Sequence, residues 1–191
     1  MNMIEADKTH EKIIVEILTE SFENVMIDNS INFIVGFGKN RKKKLKRLFT
    51  YQFKMALMFG KVFTNDDINS VILFIHTKKF TLKRLLLEIH LAFNVIGIMN
   101  ILKVLKREKV LKMSHSSSDY IHLWLMGTRP SQQGKGTGTT LLRKVLEYYR
   151  GKVIILETTA PENVVFYRKS GFDVFEENHA LNYPLYFMRH V

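Results

Sequence analysis

Tyr120-Ile-His-Leu-Trp-Leu-Met-Gly-Thr-Arg-Pro-Ser-Gln-Gln-Gly-Lys-Gly-Thr-Gly-Thr-Thr-Leu-Leu-Arg-Lys-Val-Leu-Glu-Tyr-Tyr149 reads as a strand, a glycine loop and a helix in unbroken succession. Ile121 to Thr128 is an apolar, aromatic-rich run of strand length. Pro130 ends it, because proline has no N–H for a ladder. Gly134, Gly136 and Gly138 then surround Lys135 and Thr137. Leu141, Leu142, Val145, Leu146 and Tyr149 follow at helical spacing, and Gly151 supplies the stop. A glycine loop that opens a helix suits an anion. The first helical amides have no partner within the helix, and the dipole concentrates positive charge there. Glycines let a phosphate approach the backbone closely. Lys135, Arg143 and Lys144 add positive charge nearby.

Two common phosphate loops do not fit. A Walker A loop needs glycine where Arg129 stands, and Ser or Thr where Gly136 follows Lys135. The dinucleotide fingerprint needs a third glycine where Thr139 stands. What remains is Gln133-x-x-Gly136-x-Gly138 behind a strand and Pro130. Downstream come an apolar run ending in a carboxylate, Val153-Ile-Ile-Leu-Glu-Thr-Thr159, and then Asn163-Val-Val-Phe-Tyr-Arg-Lys-Ser-Gly-Phe172. In these two motifs, their order and their separation, the chain resembles the GCN5-related N-acetyltransferase (GNAT) superfamily. The resemblance covers about residues 118–175.

The resemblance implies a mixed, mostly antiparallel α/β sheet of about six or seven strands flanked by helices, with a splay between two parallel central strands. It implies one acetyltransferase domain over 1–191, with its cofactor half at about 118–175. The cofactor it implies is acetyl-CoA, with the pyrophosphate on the amides of Gln133, Gly134, Lys135, Gly136, Thr137, Gly138 and Thr139. The pantetheine arm would pair with the backbone at Met126, Gly127 and Thr128, and Gly127 is the expected bulge. Asn163 would hydrogen-bond that arm, and Phe166 and Lys169 would line its path. Tyr167 would be the general acid for the departing thiolate, although taken alone it reads as an aromatic in a helix packed on the sheet.

The base is left open by the sequence. Glu157 follows four apolar residues at the C-terminal end of its strand, where parallel sheets place ligands. Partial desolvation there favours a base, and a structural hydrogen bond is the competing role. By strict alternation His122 shares a face with Trp124, Met126 and Thr128, so it points either into a cleft or into the core. His115 and Asp119 are further candidates, and many members of the superfamily work without a dedicated base.

Composition narrows the classes further. The 191 residues are 46% hydrophobic, which fits a globular fold of one domain. The chain has no cysteine, which removes disulfides, a cysteine nucleophile and thiolate metal sites. No metal is expected either: the histidines are scattered without an H-E-x-x-H pair. No G-x-S-x-G elbow is present. The opening residues are not a signal peptide, so a cytoplasmic setting is expected. The net charge of +11 attracts polyanions, among them the phosphates of coenzyme A.

The N-terminal half carries no diagnostic motif. Met3 to Ala6 suits a short strand. Asp7 or Thr9 caps a helix from about His10 to Glu23, with Ile13, Ile14, Ile17 and Leu18 on its apolar side. Ile31 to Gly38 is expected to be a loop or turn; the resemblance places it over the site of the acetyl acceptor. Lys39 to Arg47 holds seven basic residues in nine positions and runs into an apolar second helix. Positive charge opposes a helix N-terminus, so a solvated face, an acidic partner or a membrane surface must favour it. Sequence-specific nucleic-acid binding is not expected.

Lys61 to Thr64 and Ser70 to His76 flank an Asn-Asp turn and form a hairpin. A helical insertion spans about 80–113, broken near Asn94–Asn100. Its longest uncharged run, Ile89 to Leu102, is 14 residues, too short to cross a bilayer at about 20 residues per span. It packs on the core or lies on a membrane. Phe172 to Glu176 and Leu185 to His190 supply two last strands.

The expected activity is acetyl-CoA-dependent transfer to a primary amine of a small molecule or peptide, directly within a ternary complex. The alternative is a non-catalytic CoA-binding sensor or interaction module, and a basic membrane or nucleic-acid binder ranks third. The chain is expected to act as a monomer or homodimer.

Overall fold

The computed structural model describes residues 1–76, 82–92, 95, 105–107, 109–110, 120–181 and 183–191. Seven strands form one sheet: β1 (Met3–Glu5), β2 (Gly60–Asn65), β3 (Ser70–Ile75), β4 (Ile121–Thr128), β5 (Ile154–Thr158), β6 (Asp173–Asn178) and β7 (Leu185–His190). Their order is β1-β2-β3-β4-β5-β7-β6. Every neighbouring pair is antiparallel except β4 with β5. That parallel pair is registered only at Ile121↔Ile154 and His122↔Ile155. Beyond those two steps the strands part, and the expected splay is present.

Helices cover both faces. On one lie α1 (Glu11–Glu23), α2 (Ser30–Val35) and α3 (Arg41–Phe59). Ile14, Ile17, Leu18, Leu48, Phe49 and Phe53 from α1 and α3 meet Val62, Val71 and Leu73 in a closed core. A fully buried Phe such as Phe49 or Phe53 contributes about 2–3 kcal/mol. On the other face lie α5 (Thr137–Tyr148) and α6 (Pro161–Arg168), which follow α4 (Leu82–Leu91) in the chain. Leu141, Leu142, Val145, Val164 and Tyr167 pack there against Ile72, Phe74, Leu123 and Leu156. In the expected insertion, α4 is helical, as are residues 105–107 and 109–110. The break near Asn94–Asn100, the loop Met113–Ser118, His115 and Asp119 lie outside the described residues.

Two expectations about the backbone are corrected. Ile31 to Gly38 is not simply a loop: Asn29 Oδ1 accepts the Asn32 amide at 2.8 Å and starts α2, which Gly36 ends at φ +68°. Gly127 is not the bulge, since it sits in register with Val71. The extra residue is Trp124, because Leu73 pairs with Leu125 while Phe74 pairs with Leu123. Gly127 instead allows α1 to approach: a Cβ there would meet Leu18 Cδ2 at 2.9 Å and Ser21 Oγ at 3.1 Å.

The bulge changes which way β4 points its side chains. Trp124 and Leu125 both pack toward α1–α3, and Trp124 meets Tyr51 edge-on at 6.2 Å. Met126 packs toward α5 and α6. His122 therefore does not share a face with Met126 and Thr128, as strict alternation required. It lies on the α1–α3 side of the sheet, opposite Ile121 and Leu123.

The basic run acquires a reason at its first helical residue. Arg41 is 7% exposed and donates to the carbonyls of Phe22 at 2.7 Å, Val25 at 2.9 Å, Glu23 at 3.2 Å and Gly36 at 3.3 Å. It also reaches Asn32 Oδ1 at 2.6 Å. The Phe22 and Glu23 carbonyls lie at the negative end of α1 and the Gly36 carbonyl at that of α2, so a cation misplaced for its own helix is well placed for its neighbours. Lys42 pairs with Glu23 at 2.9 Å. Lys42, Lys43 and Lys46 face solvent.

Candidate active site

Where β4 leaves β5, a cavity of about 480 Å³ opens through the sheet. Met126, Gly127, Thr128, Gln133, Asn163 and Phe166 line it, together with Glu157 and Tyr167. From the α1–α3 side come Phe22, Val25, Ile27 and Ile31, then Gln52 and Trp124. Residues about a hundred positions apart thus meet in one space. The N-terminal contributors carry no motif that singles them out; of the stretch Ile31 to Gly38, which the resemblance placed over the acceptor site, Ile31 is in the wall.

The glycine loop stands beside this cavity. Pro130–Gln132 forms a single 3-10 turn, and the Gln133 amide is consumed by Pro130 O at 3.3 Å, contrary to the expectation that it is open. From Gly134 to Thr139, however, no amide finds an acceptor among the described residues. Gly134 at φ +75° and Gly136 at φ +78° take the left-handed conformation that turns these amides outward. Gly136 is the N-cap of α5. Gly138 is needed for another reason: a Cβ there would meet Thr128 Oγ1 at 2.8 Å and Met126 Cε at 3.0 Å, lifting α5 off β4. Arg129 ties the base of the loop to α1 through Glu20 at 2.6 Å. Lys135 and Lys169 are exposed, and neither lines the cavity.

Gln133 Nε2 donates to Thr128 O at 3.0 Å, and Asn163 Nδ2 to Thr158 Oγ1 at 3.1 Å. Tyr167 is 9% exposed, wedged edge-on between Phe166 and Phe172, and lines the cavity. Burial pushes its phenol well above the usual pKa, so it stays protonated at any working pH.

Glu157 and His122 were separate candidates in the sequence. The structure joins them: His122 Nε2 lies 2.8 Å from Glu157 Oε2, with both side chains nearly buried. The bond crosses the gap between the parted strands, which no spacing reveals. A carboxylate oriented by a histidine at the wall of a cavity is suited to receiving a proton. Across the cavity lies a phenol that holds one.

Comparison with known proteins accords with this geometry. Residues 85–172 match the family model described as Acetyltransferase (GNAT) family. No curated protein is similar enough in sequence to match. Among solved structures, the chain is similar to the Corynebacterium glutamicum histone acetyltransferase HPA2 and related acetyltransferase, with TM-score 0.70, 18% identity and coverage of 98% of this chain and 94% of that one. It is similar to a mosquito arylalkylamine N-acetyltransferase like 5b, with TM-score 0.57, 13% identity and 98% of each chain covered. A third likeness is to the ribosomal-protein-S18-alanine N-acetyltransferase of Escherichia coli, with TM-score 0.53, 12% identity and coverage of 99% and 92%. Among the described residues no helix is long and apolar enough to cross a membrane.

Proposed function

Because residues 85–172 match the GNAT acetyltransferase family model and the fold is similar to that of solved acetyltransferases, we propose that the chain transfers an acetyl group from acetyl-CoA to a primary amine, directly and with both substrates bound. The observation that supports this most is the cavity through the parted strands, with Glu157 and Tyr167 both in its wall. Acetyl-CoA fits the residues present. Open amides from Gly134 to Thr139 suit its pyrophosphate, and side chains at Gly134, Gly136 or Gly138 would strain or crowd that surface. Met126, Gly127, Thr128, Asn163 and Phe166 lie along the path its arm would take. When bound, it supplies a thioester carbonyl to the cleft.

The chain's own residues then divide the proton chemistry. Glu157, held by His122, takes a proton from the amine so that nitrogen presents a lone pair. Tyr167 keeps a proton on its Oη for the departing sulfur. The cavity walls exclude bulk water and hold the amine in position. A protein without cysteine suits the reducing cytoplasm.

Calorimetry with acetyl-CoA tests the reading, and no binding at millimolar concentration sinks it. Release of free CoA with an amine panel separates an enzyme from a sensor. Gly136→Val must leave the left-handed conformation at about 1–2 kcal/mol, so acetyl-CoA should bind about tenfold more weakly. An unaltered dissociation constant would remove the loop as its cradle. Tyr167→Phe keeps the ring packing and removes the proton; kcat should fall by about 100-fold while acetyl-CoA affinity holds. Unchanged kcat would exclude Tyr167 as the acid.

A further inference from the structure

Gln52 on α3 is 6% exposed and lines the cavity on the α1–α3 side. Its Oε1 is buried without a hydrogen-bond partner. No hydrogen bond from its side-chain amide to any other group is found among the described residues. Unsatisfied buried amides are rare, because desolvation penalises them heavily. One that stands in the wall of a substrate cavity, on a helix otherwise packed with Phe49, Phe53 and Met55, calls for a ligand.

The surroundings define that ligand. Phe22, Val25, Ile27, Ile31 and Trp124 make an apolar wall. Among the described lining residues Glu157 is the sole carboxylate and Arg107 the sole cation. A chain of several ammonium groups would find one anion, inside a protein of net charge +11. A single amine on an apolar body meets what the walls offer. A hydroxyl both donates and accepts, so it satisfies the Gln52 carboxamide in either orientation.

We propose that Gln52 selects the acetyl acceptor, and that the acceptor is a monoamine with an apolar body bearing a hydroxyl group. This rests on the transferase reading and specifies which amine the same cavity takes. A site built around a hydrogen bond rejects the analogue that lacks it, since the buried partner is then left unpaired.

Tyramine and phenethylamine differ only by that hydroxyl, and spermidine serves as the polycation. With CoA bound, calorimetry should show tyramine binding about tenfold more tightly than phenethylamine, and kcat/KM should follow the same order. In Gln52→Met, which preserves volume, the two amines should become equal while acetyl-CoA affinity stays the same. Equal binding in the unmutated protein overturns the proposal, with no variant required. So does a preference for spermidine, or a tyramine preference that survives Gln52→Met. Failure to bind acetyl-CoA, with a Gln52-dependent preference for tyramine measured without cofactor, would remove the transferase reading and leave this one standing.

Discussion

Gly60→Ala is expected to lower the melting temperature by about 6–12 °C, the equivalent of roughly 3 kcal/mol in a chain of this length. Gly60 is the corner between α3 and β2, and its amide closes the helix on Ala56 O. A Cβ there would lie 1.9 Å from Phe74 O and 2.6 Å from Phe74 C. Both are backbone atoms of β3, so no rotamer change relieves the overlap. Gly60 is in extended conformation at φ −164°, which any residue adopts, so the effect comes from close approach alone. Overpacking typically costs about 1–3 kcal/mol, and an overlap with backbone belongs at the upper end. Thermal unfolding followed by circular dichroism measures it, and a shift below about 2 °C would mean that the corner opens freely.

Glu157→Gln should lower kcat by about 100-fold, within the range that a positioned base contributes, with melting temperature and acetyl-CoA affinity close to unchanged. The amide oxygen can still accept from His122, so the tie across the gap survives while the proton-accepting group is gone. The pH profile separates the two roles of Glu157. If it is the base, the acidic limb of kcat/KM that depends on it disappears in the variant. A variant that turns over normally with the same profile would leave Glu157 as scaffold.

Much of the fold is legible in the chain because local chemistry and tertiary demand agree there. Pro130, the three glycines and the Leu141–Leu142–Val145 spacing mark strand, loop and helix without reference to anything distant. Asn65-Asp66-Asp67 marks the hairpin in the same way. The splay and the candidate acid came from the resemblance carried by Gln133 to Gly138 and Asn163 to Phe172. Other features belong to no local pattern. The alternation Ile121-His-Leu-Trp-Leu-Met126 gives no sign that Trp124 is the extra residue, since the core of α1 and α3 imposes it. The His122–Glu157 bond joins two strands whose separation is a tertiary fact. Arg41 looks like one more lysine-rich surface charge until the carbonyls of Phe22 and Val25 are placed around it. Gln52 sits amid an apolar helical repeat, and only the cavity distinguishes it from a solvated polar residue.

The five oxygens gathered on Arg41 belong to residues 22–36, the stretch that walls the amine's half of the cavity. That stretch is riveted rather than hinged. On the proposed reading, an incoming amine meets a wall already formed, to which Val25, Ile27 and Ile31 add their contours beside Gln52. Re-tooling the protein for another amine would then mean recarving that wall, Gln52 included, while leaving the rivet in place.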